Sequence, residues 1–228
     1  MIPKILHQTS RCMSPEEIRL RRRAQSKLPG WEFRLWSDAA NEALVKHSFP
    51  QYIDQYRSIK RGVVKADIAR YMYLSVFGGI YLDTDYKILR PIDDETLSYA
   101  CVLPISRNSE SIFRLGNAVL GSEPGHPFWD DFIAKIFGEG RIADLAESRI
   151  EAVTGPEGLT EFYLLNKNRY SDVYCPQREI FHPALSLGGL SFQGNRSTVG
   201  VHLCWGSWRT KNVAGMIRRL VQRKVTSF

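Results

Sequence analysis

The stretch that decides the fold is Gly62–Asp85, which reads GVVKADIARYMYLSVFGGIYLDTD. Its first part places apolar side chains at three- and four-residue steps, so we predict a helix from Gly62 to Phe77. The face that these steps define carries Val64, Ile68, Tyr71, Met72 and Ser75. Gly78-Gly79 is typical of a helix end. Ile80-Tyr81-Leu82 then reads as a short buried strand that leads into Asp83-Thr84-Asp85.

Strands and helices alternate on both sides of this segment. Strands are predicted at Ile2–Leu6, Trp31–Trp36, Tyr99–Leu103 and Val199–Leu203. Helices are predicted after Ser14-Pro15-Glu16-Glu17 and after Ser37-Asp38, whose serines can act as caps, and at Pro127–Phe137, Arg141–Val153, from about Glu157, and at Gly215–Val225. This alternation predicts an α/β protein with a mostly parallel central sheet flanked by helices.

The composition is that of a soluble globular protein, with 43% hydrophobic and 24% charged residues among 228. This length predicts a single domain over residues 1–228. The four cysteines form no CxxC pair, so we expect reduced thiols and no zinc knuckle: they are Cys12, Cys101, Cys175 and Cys204. No run of about 18 apolar residues occurs, so we expect a cytoplasmic protein without a spanning helix.

Basic residues concentrate in the C-terminal part. Ile180–Phe228 contains seven Lys and Arg and no Asp or Glu, and the formal net charge of the chain is +7. A second basic cluster lies at Arg19–Arg23. The predicted helix Gly215–Val225 carries an apolar face opposite a basic one, which is typical of a helix lying on an anionic membrane. Docking of that apolar face onto the protein's own sheet, with the basic face in water, is the competing interpretation.

Asp83 and Asp85 are the first candidates for chemistry. They follow a buried strand, at the edge of an α/β sheet where ligands bind. Carboxylates suit Mg²⁺ or Mn²⁺, which bridge phosphate oxygens. A pair of carboxylates exposed to water in a turn would have the same sequence pattern and is the alternative. Asp67 and Arg70 are three residues apart, so they share one face of the preceding helix. An ordinary ion pair on the protein surface would have the same spacing. Together with the glycine break, they favour a shared polar site.

These residues resemble a known family. Lys65–Tyr71 and Phe77–Asp85 are similar to the glycosyltransferase sugar-binding region containing a DXD motif. Further motifs of that family are resembled, in order, by Ile2–Gln8, Leu35–Asp38, Asn117 with Ser122–Phe128, Thr154-Gly155-Pro156 and His202–Trp208. The resemblance therefore spans nearly the whole chain. It implies a GT-A fold and a retaining glycosyltransferase, with a UDP- or GDP-linked sugar donor and a glycan, lipid-linked or polysaccharide acceptor.

The resemblance also implies roles for individual residues. Asp83 and Asp85 face the cation and the donor diphosphate, with Asp85 the more direct ligand of Mn²⁺ or Mg²⁺. Donor contacts are implied for Asp67, Arg70 and the loop of His7 and Gln8. His202 is our candidate for a third metal ligand, because an imidazole suits Mn²⁺, and Ser207 is its rival.

The remaining candidates are weaker. Trp205 and Trp208 are expected to cover the donor or simply to pack, and Trp208 is counted with the donor-binding residues. Asn117 joins Asp83 and Asp85 as a catalytic candidate, and motif position places both Asn117 and Glu123 toward the acceptor.

Three other possibilities remain open. A haloacid dehalogenase-type phosphatase also has an Asp-x-Asp after a strand, but Lys87 stands where that motif usually carries Thr or Val. A basic binding module for nucleic acid or membrane would explain the charge but not the motifs, so we expect no nucleic-acid partner. A secreted enzyme that glycosylates host protein would keep the chemistry and change the acceptor. We expect a cytoplasmic enzyme with a peripheral contact to the inner membrane face.

Overall fold

Helices and strands alternate along the chain, as predicted. The computed structural model describes residues 1–140, 142–185 and 192–205. The described helices are α1 (Pro15–Lys27), α2 (Asp38–Ser48), α3 (Ile53–Ser58), α4 (Gly62–Phe77), α5 (Asp94–Ser98), α6 (Pro127–Gly138), α7 (Ile150–Val153), α8 (Pro156–Asn166) and α9 (Arg178–Phe181). The described strands are β1 (Ile5–Thr9), β2 (Glu32–Trp36), β3 (Gly79–Leu82), β4 (Tyr86–Ile88), β5 (Cys101–Val102), β6 (Ile105–Ser109), β7 (Ile112–Leu115), β8 (Val119–Ser122), β9 (Val173–Tyr174), β10 (Ala184–Leu185), β11 (Phe192–Gln193) and β12 (Gly200–His202).

Six strands form the central sheet, in the order β2-β1-β3-β8-β5-β9. The pairings of β1 with β2, β1 with β3 and β5 with β9 are parallel, whereas β8 runs antiparallel to both β3 and β5. The prediction of a mostly parallel sheet flanked by helices is confirmed. Outside this sheet, β12 pairs antiparallel with β4, β6 with β7, and β10 with β11.

Apolar side chains fill both faces of the sheet, because successive residues of a strand point to opposite sides. On β3, Tyr81 belongs to a core that includes residues of α4, α6 and α8. Its neighbours Ile80 and Leu82 belong to the other core, with residues of α1, α5 and β4. The fold is therefore a sheet between two layers of helices, and β3 lies near its centre.

Helix α4 has the predicted bounds but is not amphipathic. Its own buried residues, between Val64 and Ser75, lie on all sides of the helix, because it packs between the sheet and α6. The glycine pair ends it as predicted, and both glycines have positive φ, +62° at Gly78 and +91° at Gly79. A Cβ on Gly79 would lie 2.6 Å from the carbonyl oxygen of Ile5, so β1 and β3 can approach only because this residue is glycine.

Two predicted elements differ from the structure. The first strand was predicted at Ile2–Leu6, but the Ile2 amide donates to the carbonyl of Leu97 and the strand begins at Ile5. Within residues 142–153, the described part of the helix predicted at Arg141–Val153, only Glu147–Arg149 and Ile150–Val153 are helical. One reason is that the carbonyl of Ala143 accepts a hydrogen bond from Lys60, outside any helix.

The predicted basic helix Gly215–Val225 lies outside the described residues. Among the helices that are described, none has both the length and the apolar composition needed to cross a bilayer. The predicted extent of one domain over residues 1–228 stays a prediction.

Candidate active site

The candidate site is built on the turn between β3 and β4. The amide of Asp83 donates to the carbonyl of Ala118, 2.8 Å away, and the amide of Tyr86 donates back to the carbonyl of Asp83 at 3.1 Å. The Tyr81 hydroxyl donates to Asp83 Oδ1 at 2.7 Å. These bonds fix the turn at the carboxyl end of β3, which is the edge where an α/β sheet binds ligands.

His202 meets both carboxylates of this turn. The antiparallel pairing of β12 with β4 places it opposite Tyr86, next to Asp85. Its Nε2 atom lies 3.0 Å from Asp85 Oδ1 and 3.6 Å from Asp83 Oδ2. One ligand atom from each of the three residues lies within 4.8 Å of the other two. The structure thus brings together three of the four predicted metal ligands, whereas Ser207 lies outside the described residues.

His202 and Asp85 each shift the pKa of the other. Burial tends to lower the pKa of His202, but the Asp85 carboxylate raises it well above its usual value. Burial tends to raise the pKa of Asp85, yet the charge on His202 holds it below its usual value. A divalent cation binding here would therefore displace a proton from His202.

This cluster fits a divalent cation. Two carboxylates and an imidazole are ligands that Mn²⁺ accepts, and Mg²⁺ accepts the carboxylates and water. The side chains of Asp83, Asp85 and His202 are 21%, 16% and 24% exposed, so an ion and a substrate can reach them. The Trp205 amide donates to Asp85 Oδ2 at 2.8 Å, which leaves Oδ1 facing His202.

Arg70 connects α4 to the turn. Its guanidinium lies 2.8 Å from Asp67 Oδ1 and 3.3 Å from Asp83 Oδ1. It also donates to the carbonyl of Asn117 at 2.5 Å and lies over the ring of Tyr81. The side chains of Arg70 and Asp67 are only 6% and 5% exposed, so this pair is buried rather than a surface pair.

Asp67 completes a network behind Asp83. Thr154 Oγ1 donates to Asp67 Oδ2 at 3.0 Å, and Asn117 Nδ2 donates to Asp67 Oδ1 at 3.1 Å. Burial raises the pKa of Asp67 to about 6, against the lowering effects of Arg70 and of these hydrogen bonds. Both carboxylate oxygens are therefore occupied by protein donors. The predicted contact of Asp67 and Arg70 with the donor stays a prediction.

His7 is fully buried, and both of its ring nitrogens are engaged. Trp36 Nε1 donates to His7 Nδ1 at 3.1 Å, so the proton is on Nε2, which donates to the carbonyl of Gly78 at 2.9 Å. Gln8 is also buried, and its side-chain oxygen accepts from Arg21 at 2.7 Å. Both residues lie within β1 rather than in a loop. Their contact with the nucleotide stays a prediction, and Trp208 lies outside the described residues.

Asn117 and Glu123 lie at opposite edges of the sheet. Strand β8 runs antiparallel to β3, with Val119 opposite Leu82 and Ser122 opposite Gly79. Asn117, just before β8, is therefore beside the Asp83 turn, whereas Glu123 is at the far edge. The strand between the two residues was not recognised from the sequence, and the placement of Glu123 toward the acceptor stays a prediction.

Sequence reasoning missed three hydrogen bonds, two at the turn and one at Asp67 behind it. Thr84 donates to Glu17 of α1, Tyr81 holds Asp83, and Thr154 holds Asp67. The capping sequence that begins at Ser14 was visible, but nothing in it indicates that the same Glu17 reaches the turn. Trp205 packs with Leu20, Val201 and Leu203, and its indole nitrogen is buried without a partner among the described residues.

Comparison with known proteins matches the segment that carries Asp83 and Asp85. A family model described as the glycosyltransferase sugar-binding region containing DXD motif matches residues 14–103. A mannosyl phosphorylinositol ceramide synthase of Saccharomyces cerevisiae is 33% identical over 131 residues, which are 57% of this chain and 34% of that protein. An inositol phosphoceramide mannosyltransferase of Schizosaccharomyces pombe is 34% identical over 129 residues, 56% of this chain and 35% of its own length. The chain thus spans about a third of the length of these yeast relatives.

Other matches extend over more of the chain. An uncharacterised glycosyltransferase of Acanthamoeba polyphaga mimivirus is 27% identical and covers 77% of this chain and 78% of its own. The PaToxG glycosyltransferase has a TM-score of 0.51 at 15% identity, covering 75% and 74%. A glycosyltransferase involved in glycosylation of the PBCV-1 major capsid has a TM-score of 0.51 at 10% identity, covering 96% and 98%. These two structures confirm the GT-A fold and carry no argument about substrate.

Proposed function

Because this chain belongs to the family of glycosyltransferases whose sugar-binding region contains a DXD motif, we propose that it transfers a sugar from a nucleotide-sugar donor with the help of a divalent cation. The observation that carries the proposal is the convergence of Asp83, Asp85 and His202 at the carboxyl end of β3. A cation held there supplies positive charge to the departing nucleoside diphosphate.

The protein's own residues orient this ligand set. Arg70 and Tyr81 both contact Asp83 Oδ1, so Asp83 Oδ2 is the oxygen that faces His202. The Trp205 amide occupies Asp85 Oδ2 and leaves Oδ1 toward His202. Asn117 is held beside the turn by Asp67 and Arg70. We propose Mn²⁺ ahead of Mg²⁺, since an imidazole ligand suits the softer ion.

The donor is a UDP- or GDP-linked sugar in this proposal, and the reaction retains anomeric configuration, as the family resemblance implies. The acceptor is a hydroxyl of a glycan or of a lipid-linked molecule. The names of the yeast relatives support a lipid, since they refer to inositol phosphoceramide. A cytoplasmic enzyme peripheral to the inner membrane face fits such an acceptor. The phosphatase and the non-catalytic binding module find no support among the comparisons.

A donor screen tests the proposal. The purified chain is mixed with each common UDP- or GDP-sugar and Mn²⁺, and release of UDP or GDP is measured, with EDTA and Asp85→Asn as controls. We expect release with one class of donor, lost in EDTA and in the variant. Full turnover in EDTA, or release of phosphate from a generic phosphomonoester without any nucleotide-sugar cleavage, would contradict the proposal.

Binding of the ion is measured separately from turnover. A thermal-shift titration with Mn²⁺ should give a midpoint for the wild type and a clearly higher one for His202→Gln. An unchanged midpoint would remove His202 from the ligand set. The melting temperature without added metal shows whether each variant is folded.

A further inference from the structure

A basic surface flanks the candidate site along α1 and β4. Arg23 of α1 donates from Nε to the carbonyl of Ile88, 2.7 Å away, at the end of β4. Arg90, two residues further, donates to the carbonyl of Arg196 in the turn that precedes β12. All three arginines are exposed. We call Arg23, Arg90 and Arg196 the flank surface.

No carboxylate neutralises the flank surface within the part of the chain that the structure describes. Among the described residues, the Arg23 and Arg90 guanidinium groups bond only to backbone carbonyls, and the side chain of Arg196 has no partner. The residues outside the described ranges contain no Asp or Glu, so they hold no acidic side chain that could pair with it. Elsewhere, exposed arginines do find acids, as Arg57 does with Glu42 and Arg169 with Asp131.

The carbonyl contacts hold these groups without neutralising them. A guanidinium has five N–H donors, so Arg23 and Arg90 each keep several after the bond to a carbonyl is made. Such a fixed, charged fork matches the oxygens of a phosphate, and the side-chain entropy lost on binding is smaller when the fork is already held.

The location of the flank surface relates it to the site. Strand β4 begins at Tyr86, directly after Asp85, and Arg23 holds the carbonyl at the end of that short strand. On α1, the helix that carries Arg23, Leu20 packs against Val201, which is the residue before His202. The flank surface therefore lies beside β4 and β12, next to Asp85 and His202, which are two of the three metal-ligand candidates.

We propose that the flank surface docks on the phosphate headgroups of an anionic membrane and so holds the site next to a membrane-borne acceptor. This inference rests on the proposed function for its acceptor, and it concerns residues other than the predicted basic helix Gly215–Val225. Charge complementarity favours a phosphate-rich partner. Proteins that bind single-stranded nucleic acid combine basic side chains with aromatic rings on which the bases stack. Within the described residues, none of the three arginines lies over an aromatic ring.

Vesicle flotation tests the docking surface. The full chain is floated at low salt with vesicles of phosphatidylserine and phosphatidylcholine, and with phosphatidylcholine alone. The variant R23Q/R90Q/R196Q is compared with K46Q/R107Q/K167Q, which removes equal charge from exposed cations elsewhere. We expect the flank variant to lose about 10- to 100-fold in partitioning to the anionic vesicles, since each basic residue near such a surface contributes severalfold, and the control to lose much less.

Several outcomes would overturn the proposal. They are wild-type protein that does not float, equal losses in both variants, and loss only when Arg218, Arg219, Arg223 and Lys224 are replaced by Gln. Binding to duplex DNA without binding to vesicles would also overturn it. Cleavage of a soluble nucleotide sugar, measured on the same samples, should be unchanged in the flank variant. If wild-type cleavage is absent while flotation is normal, the proposed function fails and the docking surface does not.

Discussion

Thr84 donates a hydrogen bond to Glu17, a residue 67 positions earlier in the sequence. The other carboxylate oxygen of Glu17 accepts the amide of Ser14, and the Ser14 hydroxyl accepts the amide of Glu17. One side chain therefore closes the amino-terminal cap of α1 and holds the middle of the Asp83-Thr84-Asp85 turn. The cap and the turn are therefore linked through the Glu17 carboxylate, one oxygen of which serves each.

We expect Thr84→Val to weaken cation binding while α1 stays capped. Valine keeps the shape of threonine but cannot donate to Glu17, so both flanking aspartates lose a restraint. Loss of outer hydrogen bonds typically costs 10- to 100-fold in metal affinity, and this indirect contact should fall at or below about tenfold. The measurement is the Mn²⁺ midpoint in a thermal-shift titration.

Ser14→Ala is the matched control for that variant. It removes the capping hydroxyl, at a cost of about 1 kcal/mol in stability, but leaves the bond between Thr84 and Glu17 in place. Its Mn²⁺ midpoint should match the wild type. Equal shifts in the two variants would mean that helix stability, not the bond to the turn, controls the ion.

Arg70→Met should destabilise the fold strongly. The Asp67 partner is buried, and breaking a buried pair typically costs about 3–5 kcal/mol because one charge is left uncompensated. Urea denaturation measures this loss. The double variant Asp67→Asn/Arg70→Met should recover part of it. Arg57→Met, which breaks the exposed pair with Glu42, should cost no more than about 1 kcal/mol. A similar small cost for Arg70→Met would contradict the buried network.

Acid should destabilise the protein through His7. Burial lowers the pKa of His7 to about 4, against 6.5 in the unfolded chain. Between these values the unfolded state binds the proton and the folded state does not, so stability is present above pH 6.5 and is lost as pH falls. At pH 5 this loss is about 2 kcal/mol. His7→Phe should show a correspondingly smaller drop between pH 7.5 and pH 5 in urea denaturation.

His47→Gln provides the comparison, because this side chain is exposed to water in the folded chain. Its pH dependence should follow the wild type. If His7→Phe also follows the wild type, protonation of His7 does not contribute to acid unfolding.

Cation affinity should rise with pH. Because Asp85 raises the pKa of His202 well above its usual value, the imidazole carries a proton near neutral pH and the ion must displace it. One displaced proton gives about a tenfold gain in affinity per pH unit below that pKa. Mn²⁺ midpoints measured at several pH values check this slope. His202→Gln should bind more weakly and lose most of the slope, and a variant that keeps it would assign the proton elsewhere.

Elements whose signals lie within one short stretch of sequence were predicted correctly. Helix α4 and its glycine end were predicted at the right residues because periodicity and Gly78-Gly79 are both local signals. The caps at Ser14 and Ser37 were found for the same reason. Strand β8 was missed, because VLGS is short and its place between β3 and β5 depends on pairing with distant residues.

The candidate site divides in the same way. Asp83, Asp85 and His202 could be proposed because their side-chain types suit a cation. The structural roles of Asp67, Arg70 and His7 could not be foreseen, since burial and hydrogen-bond partners arise from segments far apart. Arg70, for instance, reaches Asn117 across 47 positions, and Asp67 reaches Thr154 across 87. The spacing of Asp67 and Arg70 alone therefore left a surface ion pair open, whereas the structure has a buried network.

The antiparallel pairing of β12 with β4 also sets the order of events during synthesis. The two carboxylates leave the ribosome early, but their imidazole partner is translated 117 positions after Asp85. All six strands of the central sheet precede β12 in the sequence, so they are synthesised before His202 is. A nascent chain that stops before Gly200 lacks this ligand altogether. A cation that needs all three ligands could therefore bind only after the strands of the central sheet have been synthesised.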